Sequence, residues 1–106
     1  MRLKDKIAII TGGSRGIGKA ISELFAKEGA TVIIMELLPQ GQEVARGINE
    51  SGGKAEFHNV SVSDKPAVET LFEQVNSKYG KIDNLINNAG ITRDRTLANQ
   101  SLNYAY

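Results

Sequence analysis

Short apolar runs alternate with longer amphipathic runs along most of this sequence. The apolar runs are rich in β-branched residues and have the length of buried strands, whereas the runs between them repeat apolar residues at helical spacing. Strands are predicted at residues 7–10, 31–35, 55–62 and 82–87. Helices are predicted at residues 16–28, from 38–41 to 52–53, and from 64 to 80. This alternation predicts the α/β class, with a parallel sheet and right-handed crossovers.

The predicted topology is a doubly wound parallel sheet with strand order 3-2-1-4. The order reverses between strands 1 and 4, and open α/β sheets bind ligands at the carboxyl ends of the strands beside such a reversal. After Gly90 the alternation stops, and residues 91–106 contain no convincing strand. We therefore predict a half-domain over residues 1–90, truncated after about four strands, and an irregular tail over residues 91–106.

The composition excludes several classes of function. The 106 residues suit one domain, and 13 basic against 12 acidic residues give a net charge of +1, so no broad attraction to nucleic acid or to a membrane is expected. The chain has no cysteine, which excludes disulfides and fits a reducing compartment. No stretch has the pattern of a signal peptide or the length of a membrane helix, and no metal-binding spacing occurs. These features predict a cytoplasmic protein without a metal.

A glycine-rich loop occupies residues 11–18, with the sequence TGGSRGIG, directly between a predicted strand and a predicted helix. Glycines permit a tight turn and let the backbone approach a phosphate, and the N–H groups at the helix start favour an anion. An ordinary glycine-rich turn is the alternative interpretation of this loop. A second motif, Asn-Asn-Ala-Gly at residues 87–90 after strand 4, makes that alternative weaker.

Residues 11–18 resemble the cofactor loop of short-chain dehydrogenases/reductases, and residues 87–90 resemble the second signature of that family. The resemblance covers about residues 5–97, and residues 88–94 are most similar to the 3-oxoacyl-carrier-protein reductase and acetoacetyl-CoA reductase branch. It implies a Rossmann-type domain that binds NAD(P). It also implies a parent enzyme that transfers a hydride between NAD(P)H and a carbonyl or secondary alcohol, with a 3-oxoacyl thioester as the leading substrate.

The resemblance further implies roles for single residues. The loop would wrap the pyrophosphate, with Ile17 near the nicotinamide, while residues 88–90 would lie beside the adenosine ribose and hold strand 4 against the loop. Ser61 stands where the family usually has Asp or Asn, so only the backbone contact of Val62 with the adenine is expected to remain. The implied cofactor-binding residues are Gly12, Ser14, Arg15, Gly16, Ile17, Gly18, Glu36, Leu37, Ser61, Val62, Asn88, Ala89 and Gly90.

The choice of cofactor depends on two residues that favour opposite answers. Glu36 ends strand 2, and an acid about 20 residues past the glycine loop accepts hydrogen bonds from the ribose hydroxyls and repels a 2′-phosphate. Arg15, by the resemblance, occupies a position where a basic residue often meets the 2′-phosphate of NADP. The repulsion between a carboxylate and a 2′-phosphate would weaken binding more than an arginine that has no phosphate partner. NAD is therefore the preferred cofactor, and NADP is the alternative.

The resemblance also names catalytic residues that the 106 residues do not supply. Members of the family use a Tyr as general acid/base and a Lys four residues later, which lowers the pKa of the Tyr. Tyr79 is followed by Asp83 at that spacing, and the partner of Tyr104 would fall beyond residue 106. No catalytic residue is therefore assigned, and this chain alone is expected to bind a nucleotide without turning over substrate.

Three hypotheses remain open. The chain is the cofactor-binding part of an oxidoreductase, a stand-alone or engineered nucleotide-binding half-domain, or a structural half-domain that assembles with a missing C-terminal half. The edge of strand 4, with its apolar Ile82, Leu85 and Ile86, is a template for pairing with another chain. A homo-oligomer formed through that edge is therefore expected.

Overall fold

A computed structural model describes residues 2–88 as alternating strands and helices. The elements are β1 (Ile7–Thr11), α1 (Gly16–Lys27), β2 (Thr31–Met35), α2 (Gln40–Glu50), β3 (Lys54–His58), α3 (Lys65–Tyr79) and β4 (Asn84–Asn87). The four strands form one parallel sheet in the order β3-β2-β1-β4, which confirms the predicted fold class and strand order. The predicted tail over residues 91–106, together with Ala89 and Gly90, lies outside the described residues.

The two central strands, β1 and β2, are buried along their whole length, because helices cover both faces of the sheet. Alternate residues of each strand enter two separate apolar clusters, as the two-residue period of a strand requires. On one face Ile9 and Ile33 pack with the apolar side of α3. On the other face Ile10 and Ile34 pack with residues of α1 and α2. Within residues 2–88, no helix has the length and apolar character needed to cross a membrane.

Strand β3 ends at His58, whereas the sequence pattern predicts a strand as far as residue 62. Its neighbour β2 ends at Met35. The last backbone hydrogen bond between the two segments runs from the Glu36 N–H to the His58 carbonyl, at 3.1 Å. Beyond that point the chain turns, with the Val60 N–H donating back to the same carbonyl at 3.0 Å. A β-branched run without a partner strand therefore stays a loop.

The other boundaries differ from the prediction by a few residues. Strand β4 begins at Asn84 rather than at residue 82, because Asp83 bonds to Ile7 through both its N–H (2.8 Å) and its carboxylate (2.7 Å). Helix α1 ends at Lys27, one residue before the predicted end, whereas α2 begins at Gln40, within the predicted start at residues 38–41. The predicted cap of α3 is confirmed, since the Asp64 carboxylate accepts from the Ala67 N–H at 3.2 Å.

The outer edge of β3 is partly covered by a side chain. The Asn49 amide accepts from the Ala55 N–H at 2.9 Å and donates to the Ala55 carbonyl at 3.0 Å. One side chain at the end of α2 thus makes the pair of bonds that a further strand would make. Edge strands with unpaired backbone groups promote aggregation, so this pairing protects that side of the sheet.

A polar cluster around Glu56 joins β3 to the end of α3. The Glu56 carboxylate binds Lys78 Nζ at 2.6 Å, His58 Nε2 at 2.9 Å and the Tyr79 hydroxyl. Burial raises the pKa of Glu56, but the hydrogen bonds from Lys78, Tyr79 and His58 outweigh burial and lower this pKa to about 2 from an ordinary 4.5. The folded protein therefore favours the ionised carboxylate.

Acid is expected to weaken the fold through this cluster. Because the pKa of Glu56 is lower in the folded than in the unfolded chain, its contribution is complete above pH 4.5 and is lost as the pH falls towards 2. We expect Glu56→Gln to lower the free energy of unfolding at pH 7 by about 1 kcal/mol and to reduce its fall between pH 5 and pH 3, measured by urea denaturation. Glu73→Gln removes the same charge from an exposed position on α3 and should keep the wild-type pH dependence. A wild-type profile in Glu56→Gln would contradict the prediction.

Candidate functional site

The loop between β1 and α1 lies at the carboxyl ends of the parallel strands, between β2 and the residue after β4. The Gly12 N–H donates to the Met35 carbonyl at 2.9 Å, which attaches the loop to the end of β2. The Asn88 amide donates to the Gly12 carbonyl at 3.1 Å, which attaches the same residue to the end of β4. The loop therefore sits where the strand order reverses, at the position where this topology binds ligands.

Gly18 allows the closest approach within this loop. A Cβ atom at Gly18 would lie 2.0 Å from the Gly12 carbonyl oxygen and 2.7 Å from the Asn88 amide nitrogen. Backbone occupies the first of these positions, so no side-chain rotation relieves the clash. Only glycine lets the first turn of α1 pack against the start of the loop.

Gly16 differs from Gly18 because the space beside it is open. Its φ is +51°, a left-handed conformation that favours glycine. Apart from its chain neighbours and the nearby backbone of its own helix, no atom of the described residues lies within 4 Å of a Cβ built there. Gly16 is also the first residue of α1. Gly16 is exposed, so the start of α1 is accessible from solvent at this residue.

The N-terminus of α1 retains hydrogen-bond donors. Arg15 is the N-cap residue, and within residues 2–88 no side chain caps the helix and no acidic residue occupies its first turn. Uncapped N–H groups together with the positive end of the helix dipole favour an anion. Beside them the Arg15 side chain is exposed, and Ile17 leaves 67% of its surface exposed. The region combines anion-binding donors with an exposed apolar side chain.

The Glu36 carboxylate stands next to the glycine loop and is held on both oxygens. Oε1 accepts from the Ser14 hydroxyl at 2.6 Å and from the Ser14 N–H at 3.4 Å. Oε2 accepts from the N–H groups of Leu37 at 3.0 Å and Leu38 at 3.3 Å. Leu37, the next residue, is 55% exposed. A fixed negative charge and an exposed apolar residue therefore adjoin the loop.

Of the remaining predicted residues, Ser61 and Val62 have contacts with their own surroundings. The Ser61 hydroxyl bonds to the Ser63 hydroxyl at 2.7 Å and accepts from the Ser63 N–H at 3.1 Å, so it stabilises the turn before α3. Val62 is partly buried against the apolar cluster on the α3 face. Ala89 and Gly90 belong to the part of the chain that the structure does not describe.

Two polar contacts at the site were not anticipated from the sequence. The Asn59 amide donates to the Leu37 carbonyl at 3.1 Å, which links the loops after β2 and β3. The Thr11 hydroxyl donates to the Asn87 amide oxygen at 3.0 Å, which links the ends of β1 and β4. An Asn directly after a strand end was the available signal for the first contact. Over residues 2–88 no three His, Asp or Glu side chains converge as metal ligands.

A four-stranded parallel sheet in the order 3-2-1-4, with a glycine loop at the reversal, defines a Rossmann-like α/β protein. Residues 6–104 match the family described as short chain dehydrogenase, and the chain belongs to this family.

Two curated relatives show the similarity within the family. The chain is 45% identical over 91 residues to a 3beta-hydroxysteroid dehydrogenase of Mediterraneibacter gnavus. This alignment covers 85% of the present chain and 33% of the relative. The chain is also 43% identical over 98 residues to the 3-oxoacyl-[acyl-carrier-protein] reductase of Thermotoga maritima. This second alignment covers 92% of the present chain and 40% of the relative. The chain thus spans about a third to two fifths of these relatives, and the predicted similarity to 3-oxoacyl reductases is confirmed.

Solved structures agree with this assignment. A metagenomic short-chain oxidoreductase in complex with NADP superposes with a TM-score of 0.77 at 32% identity, covering 80% of this chain and 39% of that one. A hydroxysteroid dehydrogenase from Escherichia coli superposes with a TM-score of 0.76 at 36% identity, covering 81% of this chain and 37% of that one.

Proposed function

We propose that this chain binds a nicotinamide dinucleotide and supplies the cofactor-binding part of an oxidoreductase. The observation that carries the proposal is the uncapped N-terminus of α1 behind a glycine loop, with open space at Gly16. Such a helix start is suited to a pyrophosphate. The NADP named with the metagenomic relative supports the same class of cofactor.

The residues present fit this cofactor. The backbone of residues 12–18 would hold the pyrophosphate, and the open space at the Cβ position of Gly16 leaves room for it at the start of α1. The Glu36 carboxylate would hold the adenosine ribose, and the exposed Ile17 and Leu37 would cover apolar parts of the ligand. Asn88 would act indirectly, because its amide supports the Gly12 carbonyl and keeps the loop against β4. Val62, Ala89 and Gly90 complete the proposed site.

For the whole protein we propose hydride transfer between the nicotinamide and a carbonyl or secondary alcohol, in the cytoplasm. A 3-oxoacyl thioester is the proposed substrate, supported by the 43% identity to the Thermotoga maritima reductase. When bound, the reduced nicotinamide supplies the hydride. The role of the 106 residues is to bind and orient this cofactor, since their Tyr79 has Asp83 rather than Lys four positions later. A 3-oxoacyl reductase assay of the purified chain tests this division, because turnover would contradict it.

Calorimetric titration of NADH and NADPH into the 106-residue chain tests cofactor binding directly. Saturable binding that is tighter for NADH supports the proposal. A folded sample that binds neither cofactor would favour the alternative, a structural half-domain that needs a partner. Light scattering on the same sample measures self-association, which we propose to occur through β4, because β4 pairs only with β1 within the described residues.

Replacing Glu36 tests the preference for NADH. We expect Glu36→Ala to weaken NADH binding by roughly 10-fold, because a charge-assisted hydrogen bond to the ribose is lost. NADPH binding should hold or improve, because the repulsion of the 2′-phosphate is removed. Glu50→Ala, which removes the same charge from the exposed end of α2, should leave both affinities unchanged. Unaltered NADH affinity in Glu36→Ala would refute the role of this carboxylate.

A further inference from the structure

The Ser14 hydroxyl and the Glu36 carboxylate form the shortest polar contact between the glycine loop and the end of β2. Their oxygens lie 2.6 Å apart, within the range of charge-assisted O–H···O⁻ bonds. The two residues are 22 positions apart in the chain, and Ser14 is only 4% exposed. The hydroxyl is therefore committed to this contact and largely shielded from water.

The remaining contacts of the carboxylate complete its orientation. The Leu37 N–H donates to Oε2 at 3.0 Å, whereas the Ser14 hydroxyl donates to Oε1 at 2.6 Å. Each oxygen therefore has one short hydrogen bond, and the two donors lie on different segments of the chain. Any rotation of the carboxylate away from the loop breaks the bond to Ser14. The contacts from the N–H groups of Ser14 (3.4 Å) and Leu38 (3.3 Å) are long, which leaves acceptor capacity on both oxygens for an incoming hydroxyl.

We propose that Ser14 is a positioning residue that fixes the Glu36 carboxylate and so determines how strongly the site discriminates a 2′-hydroxyl from a 2′-phosphate. This inference rests on the proposed dinucleotide function. A hydroxyl can donate to a stationary carboxylate, whereas a phosphate offers only acceptors and negative charge. A carboxylate that can rotate away escapes this repulsion, so it rejects the phosphate less well. The discrimination therefore depends on the hydroxyl of Ser14 as well as on the charge of Glu36.

The test compares the Kd values of NADH and NADPH for matched variants by titration calorimetry. Ser14→Ala is expected to lower the ratio of the NADPH Kd to the NADH Kd by roughly 10-fold, the worth of one charge-assisted hydrogen bond. Ser14→Thr keeps a hydroxyl and should retain the wild-type ratio. In a Glu36→Ala background, Ser14→Ala should leave the ratio unchanged, because no carboxylate remains to be positioned.

Other outcomes overturn the inference in distinguishable ways. Equal weakening of both cofactors by Ser14→Ala would make Ser14 a purely structural residue of the loop. The same change of ratio with and without Glu36 would show that Ser14 acts on the cofactor itself. Circular dichroism shows whether Ser14→Ala folds. If it does not, Ser14→Gly removes the same hydroxyl, and the ratio of the NADPH Kd to the NADH Kd measured for that variant tests the inference instead. A folded wild-type chain that binds neither cofactor would defeat the proposed function and this inference together.

Discussion

Gly16→Val is expected to lower dinucleotide affinity by roughly 100-fold, equivalent to losing one or two hydrogen bonds to a charged pyrophosphate. A Cβ at Gly16 points into open space, with no atom within 4 Å among the described residues beyond its chain neighbours and the nearby backbone of its own helix. Gly16 is the first residue of α1, whose N-terminus has no side-chain cap among the described residues and is where the anion is proposed to bind. The side chain would therefore exclude the ligand and leave the protein core undisturbed.

Gly52→Val is the matched control for this experiment. Gly52 also has a positive φ, +94°, and within the described residues its Cβ position is likewise open, but it follows α2 rather than the glycine loop. Valine is strained at a positive φ in both positions, so both variants should lose stability. Only Gly16→Val should lose NADH binding in a calorimetric titration. Equal affinities for the two variants would mean that the glycine loop does not hold the pyrophosphate.

The layout of the sheet could be predicted because local and tertiary preferences agree in most elements. β1 and β2 are β-branched runs buried on both faces, and such runs differ clearly from the amphipathic helices around them. Asp64 and Gly80 mark the ends of α3 through capping, which depends on near neighbours in the chain. The end of β3 could not be predicted in this way. Val60 and Val62 favour a strand locally, but the partner strand β2 has already ended.

The candidate site shows the same division between local and long-range information. The glycine loop lies between β1 and α1, where the sequence places it, so the position of the loop could be predicted from the sequence alone. The bond from Ser14 to Glu36 and the bond from Asn59 to Leu37 each join residues 22 positions apart. They depend on how the loops at the strand ends meet, which no local pattern specifies. The residues that orient the carboxylate therefore emerge only from the folded structure.

Gly18→Ala is expected to destabilise the protein by at least about 3 kcal/mol, the upper range for overpacking. The added methyl would lie 2.0 Å from the Gly12 carbonyl oxygen, so α1 and the loop must move apart. That movement also strains the bond from the Asn88 amide to the same carbonyl, which joins the loop to the end of β4. Urea denaturation followed by far-UV circular dichroism measures the loss.

Gly47→Ala provides a control with the opposite sign. Gly47 lies inside α2, and apart from its chain neighbours and the nearby backbone of that helix no atom of the described residues is within 4 Å of its Cβ position. Alanine there should stabilise the protein by about 0.5–1 kcal/mol, because it restricts the unfolded chain and favours the helix. Both substitutions add one methyl group to a helical glycine. Opposite changes in the free energy of unfolding would therefore separate the effect of the close approach at Gly18 from that of helix propensity. Wild-type stability in Gly18→Ala would mean that Gly18 does not pack closely against the Gly12 carbonyl. The geometry proposed for the cofactor site would then be wrong as well.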